Sequence, residues 1–393
     1  MRRLLPLLVL LPLLTAGCGD DGGAAATDEP IRIGQIVSLT GNYSPLGGEN
    51  KKSVELAVDQ VNKAGGVLGR QLEIVVKDDK SQPDQSVLAF NDLRGDDVAA
   101  VIGSPFSNSA LATIPLVDRE EIPYLSLTPA DEQVNPIHPY VFVVPALSST
   151  YAERILQYLE ATGVSTVAVA HDTRSSYAVA GYEGMRAKAA DHGIELVVSD
   201  EFQTDATEFG SVFSHVRSST AEALIVWATG PPAVALTKQY ASAGLDIPLV
   251  MTGAQASKLF LDPVGPAAEG ITVASSIGVV GPDLPAGKQK DAIDELTTSF
   301  TDKYGYPPPQ FAQDGYSAVK LLVAAIEKAG GTEPEQIRDA LQGLTLVTPN
   351  GEYKYSEKNH AGLGPEFISV NTVTNGAFRP TDWAGEQLAE LAG

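Results

Sequence analysis

Ser104, Ser107, Asn108 and Ser109 occupy a small polar loop that follows an apolar run, residues 99–102, and opens a helical pattern. Hydroxyl and amide side chains at that junction suit an anion. The unsatisfied backbone N–H groups of a helix start point outward, and the helix dipole favours negative charge there. A second loop, Leu127-Thr128-Pro129-Ala130, follows the next strand pattern, residues 122–126. In open α/β sheets ligands sit at the carboxyl ends of the strands. Two such loops side by side would form half of a small-molecule site. The same residue types also make ordinary capped turns, and this stretch by itself leaves both readings open.

The elements that hold these loops alternate. A strand over residues 31–37 leads into a turn-rich loop, 38–48, and then a helix with Val54, Ala57, Val58 and Val61 at helical spacing. Gly65-Gly66 ends it, and a strand over 71–76 runs into Lys77-Asp78-Asp79. That acidic pair reads as a solvated strand end rather than a cation site. A helix over 86–93 precedes the opening stretch. After a strand at 140–144 and Pro145 the pattern restarts, with a helix at 151–161 and strands at 166–170, 194–198, 223–227 and 247–251. Loops 171–177, 228–232 and 252–255 follow three of those strands. The stripe Phe209, Val212, Phe213 and Val216 reads as core. Helices at 288–304, 312–329 and 334–341 and strand-like pieces at 351–355 and 367–373 close the chain. Strands alternating with helices specify an α/β fold with parallel sheets.

The 393 residues suffice for two domains, and 44% hydrophobic with 19% charged residues is a globular composition. A formal net charge of −22 argues against nucleic-acid binding, which needs a basic surface. The N-terminus reads as a secretory signal: Met1-Arg2-Arg3, an apolar run from Leu4 to Leu14 broken by two prolines, then Thr15-Ala16-Gly17-Cys18. Small residues before Cys18, the one cysteine of the chain, resemble a lipobox, in which the cysteine sulfur carries a lipid. Gly17-Cys18-Gly19-Asp20-Asp21-Gly22 fits G-x-G-x-x-G but follows no strand and opens no helix, so it is not a dinucleotide fingerprint. His138, His171, His192, His215 and His360 are scattered, and the hydrolase, metalloprotease and Walker motifs are absent, which leaves an enzyme reading weak.

Several segments together resemble the leucine/isoleucine/valine-binding protein family, the extracytoplasmic receptors of ABC importers. They are IGQIVSLTGNYSPLG at 33–47, VELAVDQVNKAGGVLGRQLEIVVKDD at 54–79, residues 100–130, AEGIT at 268–272 and YSAVKLLVAAIEKAG at 316–330. The resemblance implies two Rossmann-like lobes with parallel sheets, hinged by three crossovers, in the type I periplasmic binding architecture. It implies an N-lobe of 31–147 plus 277–347 and a C-lobe of 148–276 plus 348–393, behind a signal at 1–17 and a tether at 18–30. The expected partners are a small-molecule ligand, an ABC permease and, through lipid on Cys18, the bacterial cell membrane, with no cofactor. A tethered sensor signalling to a membrane partner is the second reading, since both roles use ligand-driven closure.

The same resemblance implies site residues one at a time. Ser107 stands where the family's serine holds a ligand carboxylate. The next loop reads Ser126-Leu127-Thr128-Pro129-Ala130, so the family's terminal threonine is replaced by Ala130 and its hydroxyl is missing unless Thr128 substitutes. Tyr177 matches an aromatic reaching in from the C-lobe, and Thr229 stands for a second tyrosine. Leu46 walls the side-chain pocket, while Phe106 and Ser81 stand where some members carry a cysteine pair. The family's ammonium-pairing acid falls near Ala254 or Gln255, where no carboxylate stands. A desolvated ammonium without an acid is costly. The expected ligand therefore keeps an anionic or polar end at Ser107 and lacks an α-ammonium bound in the usual way, unless Asp314, Asp172 or Asp131 moves in. Small aromatic or aliphatic acids and amides are candidates. Docking is expected on Ser107 and Thr128, with Phe106, Leu46 and Ala130 nearby, followed by closure of Tyr177, Thr229 and Gln255.

Overall fold

The computed structural model describes residues 29–391, so the signal segment, Cys18 and most of the tether lie outside the described residues. Five parallel strands form the first sheet: β1 (Ile31–Val37), β2 (Leu72–Asp78), β3 (Ala100–Ile102), β4 (Tyr124–Ser126) and β5 (Val141–Val143), in the order β2-β1-β3-β4-β5. Helices α1 (Ser44–Lys63), α2 (Pro83–Gly95) and α3 (Ser107–Glu120) return the chain after the first three strands. The chain runs outward from β1 to β2, then back past it to β3. The loops after β1 and β3 therefore diverge and leave a crevice at the strand ends.

The second lobe repeats the plan. After α4 (Ser148–Ala161) come β6 (Thr166–Asp172), α5 (Ser176–Lys188), β7 (Glu195–Phe202), α6 (Gly210–Arg217), β8 (Ala223–Trp227), α7 (Pro231–Ala243), β9 (Leu249–Met251), α8 (Lys258–Val264) and β10 (Thr272–Ser276). Its switch of direction lies between β6 and β8. Every residue of β8 and β10 is buried, as expected of strands covered on both faces. The chain then returns to the first lobe with α9 (Lys288–Tyr304), α10 (Gln310–Ala329) and α11 (Pro334–Gln342). Val319, Leu322 and Ile326 of α10 pack on Ile33, Val58 and Ile102, so α10 covers one face of the first sheet beside α1. A hairpin of β11 (Thr345–Thr348) and β12 (Gly351–Lys354) precedes β13 (Ile368–Thr374), β14 (Ala377–Pro380) and α12 (Asp382–Glu390).

Besides the separate antiparallel β11–β12 hairpin, two strands of the second sheet depart from the all-parallel expectation. β13 runs antiparallel to β10, and β14 antiparallel to β13. The β13–β14 turn is Asn375-Gly376, with φ of 52° and 71°. A two-residue turn with both φ values positive joins antiparallel strands, and Asn-Gly is its usual sequence.

Asp78 and Asp79 are not a solvated strand end. Asp79 is fully buried and accepts hydrogen bonds from Ser38 Oγ at 2.6 Å, Ser104 Oγ at 2.5 Å and the Ser81 N–H at 2.8 Å. It thereby ties the loops after β1, β2 and β3 together. Asp78 accepts from the N–H groups of Leu39 and Lys80 and from Thr40 Oγ1. Burial raises its pKa, but those donors outweigh it and hold the carboxyl below the usual range.

Candidate ligand-binding site

The strand-end loops of the two sheets face each other across a cleft that holds a cavity of about 500 Å³, its mouth included. Its walls come from three directions. Tyr43, Leu46, Ser107 and Thr128 belong to the first lobe, Ser175, Tyr177, Thr229 and Thr252 to the second, and Tyr151, Gln310, Phe311 and Asp314 to helices α4 and α10 beside the connections.

Ser107 is the first residue of α3, and no side chain caps that helix. Its hydroxyl lies 2.5 Å from that of Thr128, and both residues are almost fully buried. The Thr128 carbonyl accepts from Gln133 Nε2 at 2.8 Å, which fixes the loop after β4. Two hydroxyls therefore meet beside an uncapped helix start. This arrangement of donors suits a carboxylate.

From the opposite lobe, Tyr177 sits at the start of α5, its ring edge-on to Trp227 at 5.6 Å. The Tyr177 hydroxyl pairs with that of Thr252. Burial pushes the Tyr177 phenol well above its ordinary pKa, so it stays a neutral donor and acceptor. Thr229 lines the wall beside it.

Three expected residues do not face the cavity. Phe106 stacks behind Tyr43, with ring centroids 4.2 Å apart, and Tyr43 takes the wall position. Gln255 is turned inward: its Nε2 donates to the Ala228 carbonyl at 2.8 Å, and its Oε1 accepts from the Thr252 N–H at 3.3 Å. It caps the short turn Gly253–Gln255 from behind, and Thr252, Gly253 and Ala254 form the surface in its place. Ala130 is fully buried at the entry to the turn Asp131–Gln133 and is not part of the wall. Cys18 lies outside the described residues.

Of the three aspartates that might replace the missing acid, two are committed elsewhere. Asp172 accepts from Thr204 Oγ1 at 2.7 Å and the Arg174 N–H at 2.9 Å. Asp131 accepts from the N–H and hydroxyl of Ser149. Asp314 borders the cavity, 2% exposed, with Asn350 Nδ2 donating to its Oδ1 at 2.7 Å. Burial pushes its carboxyl up to about 7, with the Asn350 bond pulling the other way.

Among the described residues no lysine, arginine or histidine lines the cavity, and no group of three or more His, Cys, Asp or Glu is arranged to hold a metal. His171 stacks on Tyr182, while its neighbour Asp172 bonds to Thr204, so the adjacent pair makes no relay. No helix of the described residues is long and apolar enough to cross a membrane.

Comparison with known proteins places the chain in a family and its fold among solved structures. A sequence profile of the family described as "Periplasmic binding protein" matches residues 30–370. A leucine-, isoleucine-, valine-, threonine- and alanine-binding protein of Pseudomonas aeruginosa is 27% identical over 335 residues, covering 84% of this chain and 87% of its own. A Leu/Ile/Val-binding protein homolog of Brucella melitensis is 28% identical over 346 residues, covering 86% and 90%. These relatives are named as binding proteins, not as enzymes. Among solved structures, an extracellular ligand-binding receptor from Rhodopseudomonas palustris shares the fold with a TM-score of 0.82 at 23% identity, covering 90% of this chain and 99% of its own. A solute binding protein of an ABC transporter from R. palustris, in complex with benzoate, does so with a TM-score of 0.78 at 21% identity, covering 89% and 95%. The chain belongs to the periplasmic binding protein family, as an extracytoplasmic solute-binding protein of the leucine/isoleucine/valine-binding group with the type I two-lobed fold.

Proposed function

We propose that this protein is the solute-capturing component of an ABC importer, held at the outer face of the bacterial cell membrane by lipid on Cys18. It captures a small solute with a carboxylate end. The observation that carries this reading is the Ser107–Thr128 hydroxyl pair at the uncapped start of α3, inside a cleft between two lobes. The carboxylate docks there on the first lobe, and Tyr177, Thr229 and Thr252 close over it from the second. Closure then changes the outer lobe faces, which a permease reads.

Two of the similar proteins fit a carboxylate end in different ways. Branched-chain amino acids and benzoate share that group and little else. The test is a thermal-shift screen of residues 19–393 against amino acids, aromatic acids, short fatty acids and amides. A ligand that binds only the folded state raises the melting temperature by mass action. Hits confined to carboxylates, lost in Ser107→Ala, support the reading. Hits confined to amides or uncharged solutes sink it.

A further inference from the structure

The cavity wall contains a carboxylate that the fold alone does not account for. Helix α10 presses against α1 at Gly315, where any side chain would overlap Ser53 and the Asn50 carbonyl. One face of α10 is then bonded to the connections between the lobes. Gln310 donates to the Tyr151 hydroxyl at 2.7 Å and accepts from the Ser276 N–H at 3.0 Å. Gln313 accepts from Ser276 Oγ at 3.0 Å, and Ser317 donates to Thr348 Oγ1 at 2.9 Å. Asp314 lies on this fixed face. Its Oδ1 serves Asn350, a task an asparagine would perform equally well.

The other oxygen, Oδ2, meets no hydrogen-bond donor among the described residues, and Asp314 joins no ion pair among them. A buried carboxylate is costly unless it is paired. The cavity offers it no cationic side chain among the described residues. Tyr151, Tyr177 and Phe311 border the same space, and aromatic rings attract a desolvated cation.

We infer that Asp314 accepts a cationic nitrogen of the ligand. The inference rests on the carboxylate dock at Ser107 and deepens it: the ligand is a small zwitterion, its acid end at α3 and its amine end at α10. Both ends then dock on one lobe before the other closes. The second lobe needs no acid, which accounts for the neutral Thr252, Gly253 and Ala254 in its wall.

The test is calorimetric titration of the wild type, Asp314→Asn and Ser107→Ala. The probes are L-leucine, L-alanine and L-phenylalanine, and their des-amino counterparts 4-methylpentanoate, propanoate and 3-phenylpropanoate. At least one amino acid binds the wild type and outcompetes its counterpart. Asp314→Asn weakens that amino acid by about 30-fold or more, the scale for losing one member of a buried charge pair, and leaves the counterpart unimpaired. Asp314→Glu restores part of the loss, and a far-UV circular dichroism spectrum and a cooperative unfolding transition like those of the wild type verify the fold of each variant. Binding of none of the amino acids overturns the inference. So does a counterpart that binds as tightly as its amino acid, or an Asp314→Asn affinity within twofold of wild type. Acids that bind and are lost only in Ser107→Ala overturn Asp314 and leave the carboxylate dock standing. Amino acids lost in Asp314→Asn but not in Ser107→Ala do the reverse.

Discussion

The side chain of Asn108, on α3 of the first lobe, reaches across the cleft to the backbone of Arg174 in the loop after β6. Its Nδ2 donates to the Arg174 carbonyl at 2.9 Å, and its Oδ1 accepts from the Ser176 N–H at 3.1 Å. One amide thus engages the backbone on both sides of Ser175, without lining the cavity. Each neutral hydrogen bond of this kind contributes about 0.5–1.5 kcal/mol, and both exist only while the lobes are together. Asn108→Ala is expected to weaken ligand binding about tenfold through the closed state alone. Calorimetry gives the affinity, and solution X-ray scattering of the saturated variant gives the degree of closure. An unchanged dissociation constant would remove the latch.

Ser107 and Thr128 act as one unit, since each hydroxyl holds the other in place. Ser107→Ala removes a donor and also releases Thr128, for an expected loss of about 1–3 kcal/mol in carboxylate binding. Thr128→Val keeps the shape and removes the second hydroxyl, and the double variant should lose less than the sum of the two. A double-mutant cycle read by titration checks this. Strict additivity would mean that the two hydroxyls serve the ligand separately.

How far this site was legible in the sequence depends on how local each determinant is. A strand, a small polar loop and a helix start are all written within a few residues, so Ser107 and Thr128 could be singled out. The strand-end loops around Tyr177 and Thr229 follow the same local grammar, and these residues stand on the cavity wall. Phe106 and Tyr43 exchange roles because a stacked pair, set by tertiary packing, decides which ring faces the cavity. Gln255 turns away because a capping box gives its amide partners behind the wall. Asp314 reaches the cavity through the close packing of α10 on α1 at Gly315 and the bonds of Gln310, Gln313 and Ser317, all to residues far apart in the chain. Asn375-Gly376 is a local hairpin signal for the antiparallel edge, written within two residues of the sequence.

Asp79 offers a check on the frame that carries the site. Its carboxylate binds Ser38, Ser81 and Ser104 from three different loops at the strand ends. Removing it leaves two buried hydroxyls and an N–H without an acceptor. Asp79→Ala is expected to lower stability by about 3 kcal/mol or more, in line with orphaned buried donors. It should weaken ligand binding in proportion to the loosened first-lobe loops. Urea unfolding measures the first effect and titration the second. A loss below 1 kcal/mol, roughly that of one surface bond, would mean the loops hold their places without it.

Asp314 predicts an unusual dependence of stability on pH. In the ligand-free protein its carboxyl is pushed from 3.8 up to about 7 by burial. The folded pKa is raised, so the protonated form is the one that folding favours. Below about pH 4 both states are protonated and the group costs nothing. Between about pH 4 and 7 the unfolded chain ionises while the folded protein does not, and stability falls. Above that range the penalty is constant, on the order of 4 kcal/mol at 1.36 kcal/mol per pKa unit. Asp314→Asn keeps the acceptor for Asn350 and removes the charge. It should be more stable than the wild type at pH 8 by about 2–4 kcal/mol and no different near pH 3.5. Urea unfolding at the two pH values checks it, and an Asp314→Asn protein less stable at pH 8 would contradict the unpaired charge. A single substitution that stabilises the empty protein while costing it the amine-bearing ligand is what distinguishes a group retained for binding from one retained for the fold.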